Sequence, residues 1–221
     1  MMGKKGEEGE RPSFVGVDVS AYQGEIDWQA VAAAGVDFAI IRVGLRGYTE
    51  GKLYEDSFFR QNMEGALAAG LDVGVYFFSQ AVNVREALEE AAFVLERIRD
   101  YELTYPVVFD WERQTAEGSR TARVSGRVQT NCAVAFCSKL ERAGYLPMVY
   151  ASPSKAYGEL DLSRLTDWPF WLAHYTGELQ PTGFRYHYDI WQYTSTGHVD
   201  GISTPVDLNL CLTDFSRRKD R

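Results

Sequence analysis

Short apolar runs that each end in a polar or charged residue recur along this chain, and their spacing constrains its fold more than any other feature. The first five runs cover residues 14–20, 38–44, 73–79, 106–112 and 147–152. Each run is almost continuously apolar, which is typical of parallel strands that are buried on both faces. We therefore predict five strands of a parallel sheet.

Amphipathic segments separate these runs. Apolar residues recur at helical spacing after Asn83, a residue type that favours helix N-termini, and a similar stripe ends before Gly144. The polar residues that end the five strands lie 24, 34, 34 and 40 positions apart. They are Asp18, Arg42, Tyr76, Asp110 and Tyr150. This spacing is typical of repeated βα units.

The spacing of the apolar runs changes after the fifth one. Further runs at residues 170–175, 188–194 and 205–211 follow at shorter intervals, and no amphipathic helix separates the last two. A chain of 221 residues is long enough for one large barrel. We predict an α/β fold, a single irregular TIM-like barrel of about eight strands with covering helices in its first half and few or none in its last.

The two ends of the chain differ from its middle. The first 13 residues are charged and lack the apolar stretch of a signal peptide. We interpret residues 1–13 and 216–221 as charged tails and residues 14–215 as the barrel domain. No run approaches the roughly 18 apolar residues that a membrane span requires.

Glycines follow the second run at Gly44, Gly47 and Gly51, ahead of a long polar segment. A phosphate-binding loop would lead directly into a helix. We therefore interpret this segment as a flexible rim of the barrel.

Charge and aromatic content indicate the class of ligand. Lys and Arg number 23 against 31 Asp and Glu, a formal net charge of −8, which argues against binding nucleic acid or anionic lipid through a basic surface. Aromatic residues make up 14% of the chain, and many adjoin Asp, Asn or Gln. That mixture suits carbohydrate, whose C–H faces stack on rings while its hydroxyls form hydrogen bonds.

Cysteine and histidine give no sign of a metal centre. Cys132, Cys137 and Cys211 lack the C-x-x-C spacing of zinc or redox sites, and the three histidines are scattered. We expect the cysteines to be small core residues, with a disulfide involving Cys211 as the alternative. We expect no cofactor and no metal ion.

Acidic residues lie at several predicted strand ends, where barrels of this kind carry their catalytic residues. They are Asp18, Asp110, Glu112, Asp189 and Asp207. Asp110 and Glu112 project to the same side of one strand, with Cβ atoms about 6.5–7 Å apart. Their repulsion favours keeping one carboxyl protonated, as a general acid for glycoside cleavage requires. Alternatively, these acids are caps, solvated strand ends or ion-pair partners of Arg42.

Aromatic side chains occur at the same strand ends as the acids. They are Tyr76, Tyr150, Tyr175, Trp191 and Tyr193. Such rings either fill the barrel or form walls on which sugar rings stack. Because they occur on at least four strands beside the acids, we favour sugar-stacking walls for some of them.

Four segments carry a resemblance to a known family. They are GVDVSAYQGEIDW near the start, PVVFDWE in the middle, and FWLAHY and DIWQYTSTGHVDGISTPVDLN in the last third. In order and spacing they resemble the family 25 glycoside hydrolases, lysozymes of the N-acetylmuramidase type, from about Phe14 to Phe215. The resemblance implies an irregular barrel of five βα units followed by three strands. It also implies hydrolysis of the β-1,4 bond between N-acetylmuramic acid and N-acetylglucosamine in peptidoglycan.

The resemblance implies roles for individual residues. Glu112 is similar to the general acid that protonates the leaving oxygen, and Asp110 to the acid that orients the substrate's N-acetyl group or stabilises the developing positive charge. Asp18 and Asp207 match the other catalytic acids across the cleft. The residues that we assign to substrate binding are Asp189, Tyr76, Tyr150, Trp191, Arg42, Tyr22 and Gln192.

The spacing of Asp110 and Glu112 bears on the stereochemistry. A direct nucleophile lies about 5–5.5 Å from the acid, whereas inversion needs roughly 6.5–9.5 Å. A D-x-E pair that serves an acetamido sugar favours assistance by the acetamide itself. We expect net retention through an oxazolinium-like intermediate, with inversion by water as the alternative.

Other functions and settings stay open at this point. A chitinase-like hydrolase, a non-catalytic peptidoglycan-binding module and a metal-dependent hydrolase using Asp18, Asp110, His174 and Asp207 are the alternatives. We expect a monomer whose partner is bacterial cell-wall peptidoglycan. We expect it to act outside the cell, or alternatively to be a phage lysin made in the cytoplasm.

Overall fold

The computed structural model describes residues 13–177 and 183–216 of the chain. The predicted tails at residues 1–13 and 216–221 lie outside the described residues except for Ser13 and Ser216. The strands and α-helices, in chain order, are β1 (Phe14–Val19), α1 (Trp28–Ala33), β2 (Phe38–Arg46), β3 (Leu53–Glu55), α2 (Phe59–Ala68), β4 (Asp72–Ser79), α3 (Val84–Ile98), β5 (Val107–Trp111), α4 (Gly126–Arg142), β6 (Pro147–Ala151), α5 (Pro153–Gly158), β7 (Phe170–Ala173), β8 (Ile190–Gly197) and β9 (Val206–Cys211).

Eight of these strands close into a barrel. β1, β2, β4, β5, β6, β7 and β8 pair in parallel in that order, and β9 runs antiparallel between β8 and β1. An α-helix follows each of the first five parallel strands, whereas the described residues from β7 to β9 contain none. The predicted irregular barrel, with five βα units followed by three strands, is confirmed.

Alternation along each strand divides the core into two parts. Outward residues such as Val73, Val75 and Phe77 on β4 pack in the layer between the barrel and the helices. A second cluster fills the barrel's interior. Its buried members are Phe38, Ile40, Tyr105, Val108, Met148, Trp171, Ile190, Cys211 and Phe215. Because both faces of the strands are buried, their sequences read as almost continuous apolar runs.

The barrel interior changes character along its axis. At the end where the parallel strands begin, the rings of Phe38 and Tyr105 stack with centroids 4.3 Å apart, and Phe215 packs edge-on against Tyr105 at 5.2 Å. Toward the other end the inward positions become polar, as at Asp18 on β1 and Asp110 on β5. We call that polar end the mouth.

The segment after β2 differs from the flexible rim that its glycines predict. Residues Leu53–Glu55 form β3, which pairs antiparallel with β2 outside the eight-strand barrel. Gly44 lies opposite Glu55, and a Cβ on it would come within 2.2 Å of the Tyr54 carbonyl oxygen. Gly44 therefore permits close backbone approach, and a three-residue polar strand leaves no apolar pattern from which to predict it.

Helix ends follow local sequence. Asn83 caps α3 by accepting from the Glu86 amide at 3.0 Å, as its position predicts. Gly144, which follows α4, has a φ of 88°, a conformation that a side chain disfavours.

Two sequence-based expectations concern buried groups and membranes. Cys132, Cys137 and Cys211 are buried and free, as expected of core residues. In residues 13–177 and 183–216, no helix is long and apolar enough to cross a membrane.

A buried ionic network fastens α3 to the barrel. Arg46, at the end of β2, donates to Glu90 of α3 at 2.7 Å, and the Ser79 hydroxyl at the end of β4 donates to the other Glu90 oxygen at 2.5 Å. Burial raises the pKa of Glu90 to about 7, against hydrogen bonds from Ser79 and Arg46 that favour its charged form. The network thus ties two strands and a helix together just below the mouth.

We predict that Arg46→Met lowers the free energy of unfolding by about 3–5 kcal/mol at pH 8, because Glu90 then keeps a buried charge without its partner. The loss should shrink toward pH 6, where Glu90 takes up a proton. Arg60, which is 64% exposed and pairs with Glu55, provides a matched control. Arg60→Met should cost less than about 1 kcal/mol. Urea unfolding of both variants checks this, and equal losses would contradict it.

Candidate active site

β5 carries the acidic pair at the mouth. Asp110 is 6% exposed, and its Oδ1 atom is buried without a hydrogen-bond partner, whereas Glu112 is half-buried. Trp111, between them, points to the opposite side and donates from its indole nitrogen to the Ala81 carbonyl at 2.8 Å. The Gln80 side chain donates to the Glu112 carbonyl at 2.6 Å. These bonds fix the backbone on which both carboxyls are mounted.

Two adjoining cavities open at the mouth, with volumes of about 190 and 600 Å³, and both are lined by Glu112 and Tyr150. Eight of the eleven predicted site residues line the smaller cavity. They are Asp18, Arg42, Tyr76, Asp110, Glu112, Tyr150, Gln192 and Asp207. The larger cavity extends from Glu112 along α5 and the segment after β7. Glu112 therefore stands between a narrow acidic cleft and a wider cavity.

A second carboxyl pair faces β5 across the cleft. Asp18 on β1 lies in register with Asp207 on β9, and their carboxyls form a hydrogen bond. Burial, followed by the charge of Asp207, raises the pKa of Asp18 well above its usual range. Burial also raises the pKa of Asp207, while the hydrogen bond from Asp18 lowers it. The two carboxyls therefore share a proton more readily than isolated acids do.

Neutral amides hold this pair in place. Asp18 Oδ2 accepts from Gln192 Nε2 at 2.9 Å and from Asn209 Nδ2 at 2.8 Å. Gln192 Oε1 in turn accepts from the hydroxyls of Tyr150 at 2.8 Å and Tyr175 at 2.7 Å. One amide thus links the acidic pair to Tyr150 on β6 and Tyr175 in the segment after β7, so that the cleft wall behaves as one hydrogen-bonded unit.

The carboxyls of β5 hold protons more tightly than exposed acids do. Burial and then the charge of Glu112 raise the pKa of Asp110 well above its usual range, and Lys155 and Arg42 oppose the shift. Burial raises the pKa of Glu112, Lys155 lowers it and Asp207 raises it. A carboxyl that keeps its proton beside an open cavity can act as a general acid.

Arg42 and the tyrosines have structural partners as well as places in the cleft. Arg42 pairs with the buried Asp56 at 2.7 Å, so its described ion pair is not with the acids of β5 or β1. The rings of Tyr76 and Tyr150 pack edge-on against Trp171, with centroids 6.5 and 4.9 Å away. The rings therefore fill the barrel and line the cleft at once, which combines the two interpretations of the aromatic pattern.

Comparison with known proteins settles the family. The model of the glycosyl hydrolases of family 25 matches residues 17–202. The chain belongs to this family. It is therefore a glycoside hydrolase, and the cleft between β1, β5 and β9 is the candidate active site of this family 25 enzyme.

Relatives and solved structures agree with that assignment. Lysozyme M1 of Streptomyces globisporus is 30% identical over 88% of this chain and 66% of its own. The bacterial lysozyme of Streptomyces coelicolor superposes with a TM-score of 0.71 at 26% identity, over 92% of this chain and 94% of that one. The modular autolysin LytC of Streptococcus pneumoniae, solved with a synthetic peptidoglycan ligand, gives 0.76 at 26% identity. The match covers 90% of this chain but only 46% of LytC.

Three predicted site residues of this family 25 hydrolase do not line the cavities. Tyr22 lies in the turn after β1 and is 74% exposed, at the rim of the mouth. Trp191 alternates with Ile190 and Gln192, so it faces away from the cleft, and its indole nitrogen donates to the His174 carbonyl at 2.9 Å. The predicted place of Trp191 near the scissile sugar is therefore not what the structure shows.

Asp189 is at the wrong end of the barrel for the predicted role. It precedes β8 instead of ending it, and accepts from the Phe170 amide at 3.1 Å and from the Thr213 hydroxyl at 2.7 Å. The prediction that Asp189 joins the other acids at the mouth is wrong. Its carboxyl instead links the start of β7 to the segment after β9.

The structure adds residues that the sequence interpretation omits. Asn209 lies two positions after Asp207 on β9, and the same alternation that places Asp110 beside Glu112 predicts that it faces inward. Lys155 on α5 lines the larger cavity, but no local pattern relates it to β5. In residues 13–177 and 183–216, no group of three or more His, Cys, Asp or Glu side chains is arranged to hold a metal ion.

We predict that Asp110→Asn stabilises the fold above neutral pH. A carboxyl whose pKa is raised by folding contributes stability below its unfolded pKa and loses it as the pH rises through the folded pKa. The asparagine side chain does not ionise, so the variant avoids this loss of stability. The loss amounts to about 1.4 kcal/mol for each pH unit by which folding raises the pKa. Unfolding at pH 7.5 should show a gain that shrinks at pH 4. Asp167→Asn, at an exposed position, should show no such pH dependence, and a gain equal at both pH values for Asp110→Asn would contradict the reasoning.

Proposed function

We propose that the protein is a lysozyme that hydrolyses the β-1,4 bond between N-acetylmuramic acid and N-acetylglucosamine in bacterial peptidoglycan. The names of its relatives support this substrate, since they are lysozymes and an autolysin solved with a peptidoglycan ligand. The observation that carries the proposal is the buried Asp110–Glu112 pair, with raised pKa values, beside a cavity of about 600 Å³. That volume is in the range of sites for extended ligands.

Glu112 is the general acid in this proposal. It is the less buried member of the pair and lines both cavities, so a glycosidic oxygen positioned between them would meet its carboxyl. Burial raises its pKa, which keeps the proton available in mildly acidic solution. The proton passes from Glu112 to the leaving oxygen as the bond to the anomeric carbon breaks.

Asp110 orients the acetamide that assists. Its carboxyl lines the smaller cavity beside Glu112, where it can accept a hydrogen bond from an N–H group of the substrate. With the proton of the pair on Glu112, the charge that adds to burial in raising the pKa of Asp110 is removed. As a carboxylate, Asp110 then directs the acetamide oxygen toward the anomeric carbon and stabilises the positive charge that develops. An oxazolinium-like intermediate forms, and water then opens it with net retention.

Asp18 and Asp207 act from the opposite wall. The negative charge that remains when Asp18 and Asp207 share one proton lies across the cleft from Glu112, where it favours a positively charged transition state. Tyr76, Tyr150 and Gln192 offer rings and an amide to the sugar. Arg42 and the exposed Tyr22 complete the proposed binding surface at the mouth.

The setting of the reaction follows from its substrate. A peptidoglycan hydrolase works on the cell wall, outside the membrane, and we propose that this chain does so as a bacteriolytic monomer. A phage lysin made in the cytoplasm is the alternative origin. With a formal charge of −8, the chain gains no general attraction to an anionic wall, so affinity depends on contacts in the cleft or on modules outside this sequence.

We predict that Glu112→Gln lowers turnover of purified peptidoglycan by a factor of about 10²–10⁴, because the amide keeps the shape of the carboxyl but has no acidic proton. Mass spectrometry of borohydride-reduced digests should show fragments ending in reduced muramic acid with the wild type only. Glu117→Gln, at an exposed position five residues on, is the matched control and should retain full activity.

The other outcomes of that digestion identify different functions. Fragments ending in reduced glucosamine would keep a glycosidase but reverse its bond specificity. Release from chitin and not from peptidoglycan would favour a chitinase-like enzyme. Binding to several wall types without any release would favour a non-catalytic module.

Retention makes a separate prediction. Proton NMR of a soluble wall fragment during the first minutes of cleavage should show the β-anomer of the new reducing end before mutarotation. Asp110→Asn should impair this reaction severely, since it loses the charge that supports the acetamide. An initial α-anomer would instead establish inversion by water.

A further inference from the structure

Lys155 lies close behind the acidic pair of β5. It belongs to α5, whose N-cap residue Ser152 accepts a hydrogen bond from the Lys155 amide at 3.4 Å. Its side chain lines the larger cavity together with Glu112, and its Nζ atom is 5.3 Å from the centre of the Trp111 ring. Trp111 lies between the two acids in sequence but projects to the opposite side of β5, so the ring contact places the ammonium group beside this strand, and the shared cavity lining places Lys155 near Glu112.

The ammonium group lacks a close partner of its own. Its Nζ atom is buried and forms no hydrogen bond, and none of the ion pairs within 4.0 Å among the described residues includes it. Glu159, the nearest acid along the chain, is engaged elsewhere, since it accepts from Arg113 at 2.8 Å and from Gln129. A buried cation in this state is costly unless longer-range charges compensate it.

Those compensating charges are the carboxyls of the cleft. Lys155 is attracted to Asp110, Glu112 and Glu159 and repelled by Arg113, while burial lowers its pKa. Asp110 Oδ1 is likewise buried without a partner. Lys155 and the acidic pair thus compensate each other, with Arg42 as a further cation toward Asp110 and Glu159 as a further acid toward Lys155.

We propose that Lys155 is a positioning residue of the catalytic acid, a fixed cation that limits how tightly Glu112 holds its proton. The inference rests on the proposed role of Glu112. A general acid works best when its proton affinity is high enough to keep the proton and low enough to release it during bond cleavage. Burial raises the proton affinity of Glu112, and Lys155 opposes this effect from α5.

The charges that face Glu112 decide the sign of the effect. Lys155 approaches it from α5 and favours its charged form, whereas Asp207 on β9 disfavours it. Asp110, on the same strand, is faced by Lys155 and by Arg42 of β2 in addition to Glu112 and Asp207. Without the charge of Lys155, no cation on α5 opposes the effect of burial and of the neighbouring carboxylates on the two acids of β5. Both carboxyls then keep their protons to higher pH.

The test compares pH profiles of kcat/KM on a soluble wall fragment. Lys155→Met should shift the alkaline limb of the profile, which reports loss of the proton of the acid, to higher pH by about one unit, the size expected for one nearby charge. Lys155→Arg keeps the cation and should leave the profile close to that of the wild type. Lys52→Met removes an exposed lysine and the same net charge, and should not move the profile.

A direct titration separates this inference from the proposed function. The side-chain carboxyl carbon of Glu112, followed by NMR in protein labelled with carbon-13, should titrate about one pH unit higher in Lys155→Met than in the wild type. This measurement needs no substrate, so it is informative even if peptidoglycan is not the polymer cleaved. Should the Met variant fail to fold, Lys155→Gln replaces it with the same expectation.

Two results would overturn the inference. One is an unchanged Glu112 titration in Lys155→Met or Lys155→Gln. The other is a rate that falls by the same factor at every pH, which is the signature of a purely structural lysine. A third result separates the two proposals. If the wild type releases nothing from peptidoglycan but the Glu112 titration still shifts in Lys155→Met, the proposed function is rejected and the electrostatic coupling of Lys155 to Glu112 is supported.

Discussion

The antiparallel entry of β9 between β8 and β1 is the constraint on which this active site depends. Because β9 runs opposite to its neighbours, its first residues reach the mouth, and Asp207 comes into register with Asp18. With β5 on the facing wall, a closed ring of backbone hydrogen bonds then holds four carboxyls around one narrow cleft. Burial raises the pKa values of Asp18 and Asp110, and repulsion adds to this effect because the strands cannot separate to relieve it.

The protein stabilises these carboxyls in two physically different ways. Around Asp18 the partners are neutral amides, Gln192 and Asn209, whose hydrogen bonds favour its charged form against burial and the charge of Asp207. Around β5 the partners are cations at longer range, Arg42 and Lys155. The amides fix the positions of the carboxyls on the wall that we propose holds the substrate. The cations adjust the proton affinity of the acids on β5, the strand that we propose transfers a proton.

The eight barrel strands were predictable from the sequence because burial on both faces leaves almost continuous apolar runs. Alternation also predicted that Asp110 and Glu112 share a side. Predictions were wrong where the motif alone did not show at which end of a strand, or on which of its faces, a residue lies. The acid of DIWQY stands before its strand, so Asp189 lies at the far end of the barrel, and Trp191 faces outward because Gln192 faces in. β3 is short and polar, and therefore has no apolar signature.

Lys155 shows why the electrostatics of such a site lie beyond a local pattern. The residue is 43 positions after Glu112, on a helix of only six residues, and its neighbours in sequence are Ser, Pro, Ala and Tyr. Its approach to Trp111 follows from the parallel pairing of β5 with β6, which makes the helix after β6 lie beside the end of β5. In a barrel built from βα units, the strand that supplies the acid and the next unit that supplies the cation are neighbours by construction. The proton affinity of the acid is thus set by the order of the strands as much as by the residues beside it.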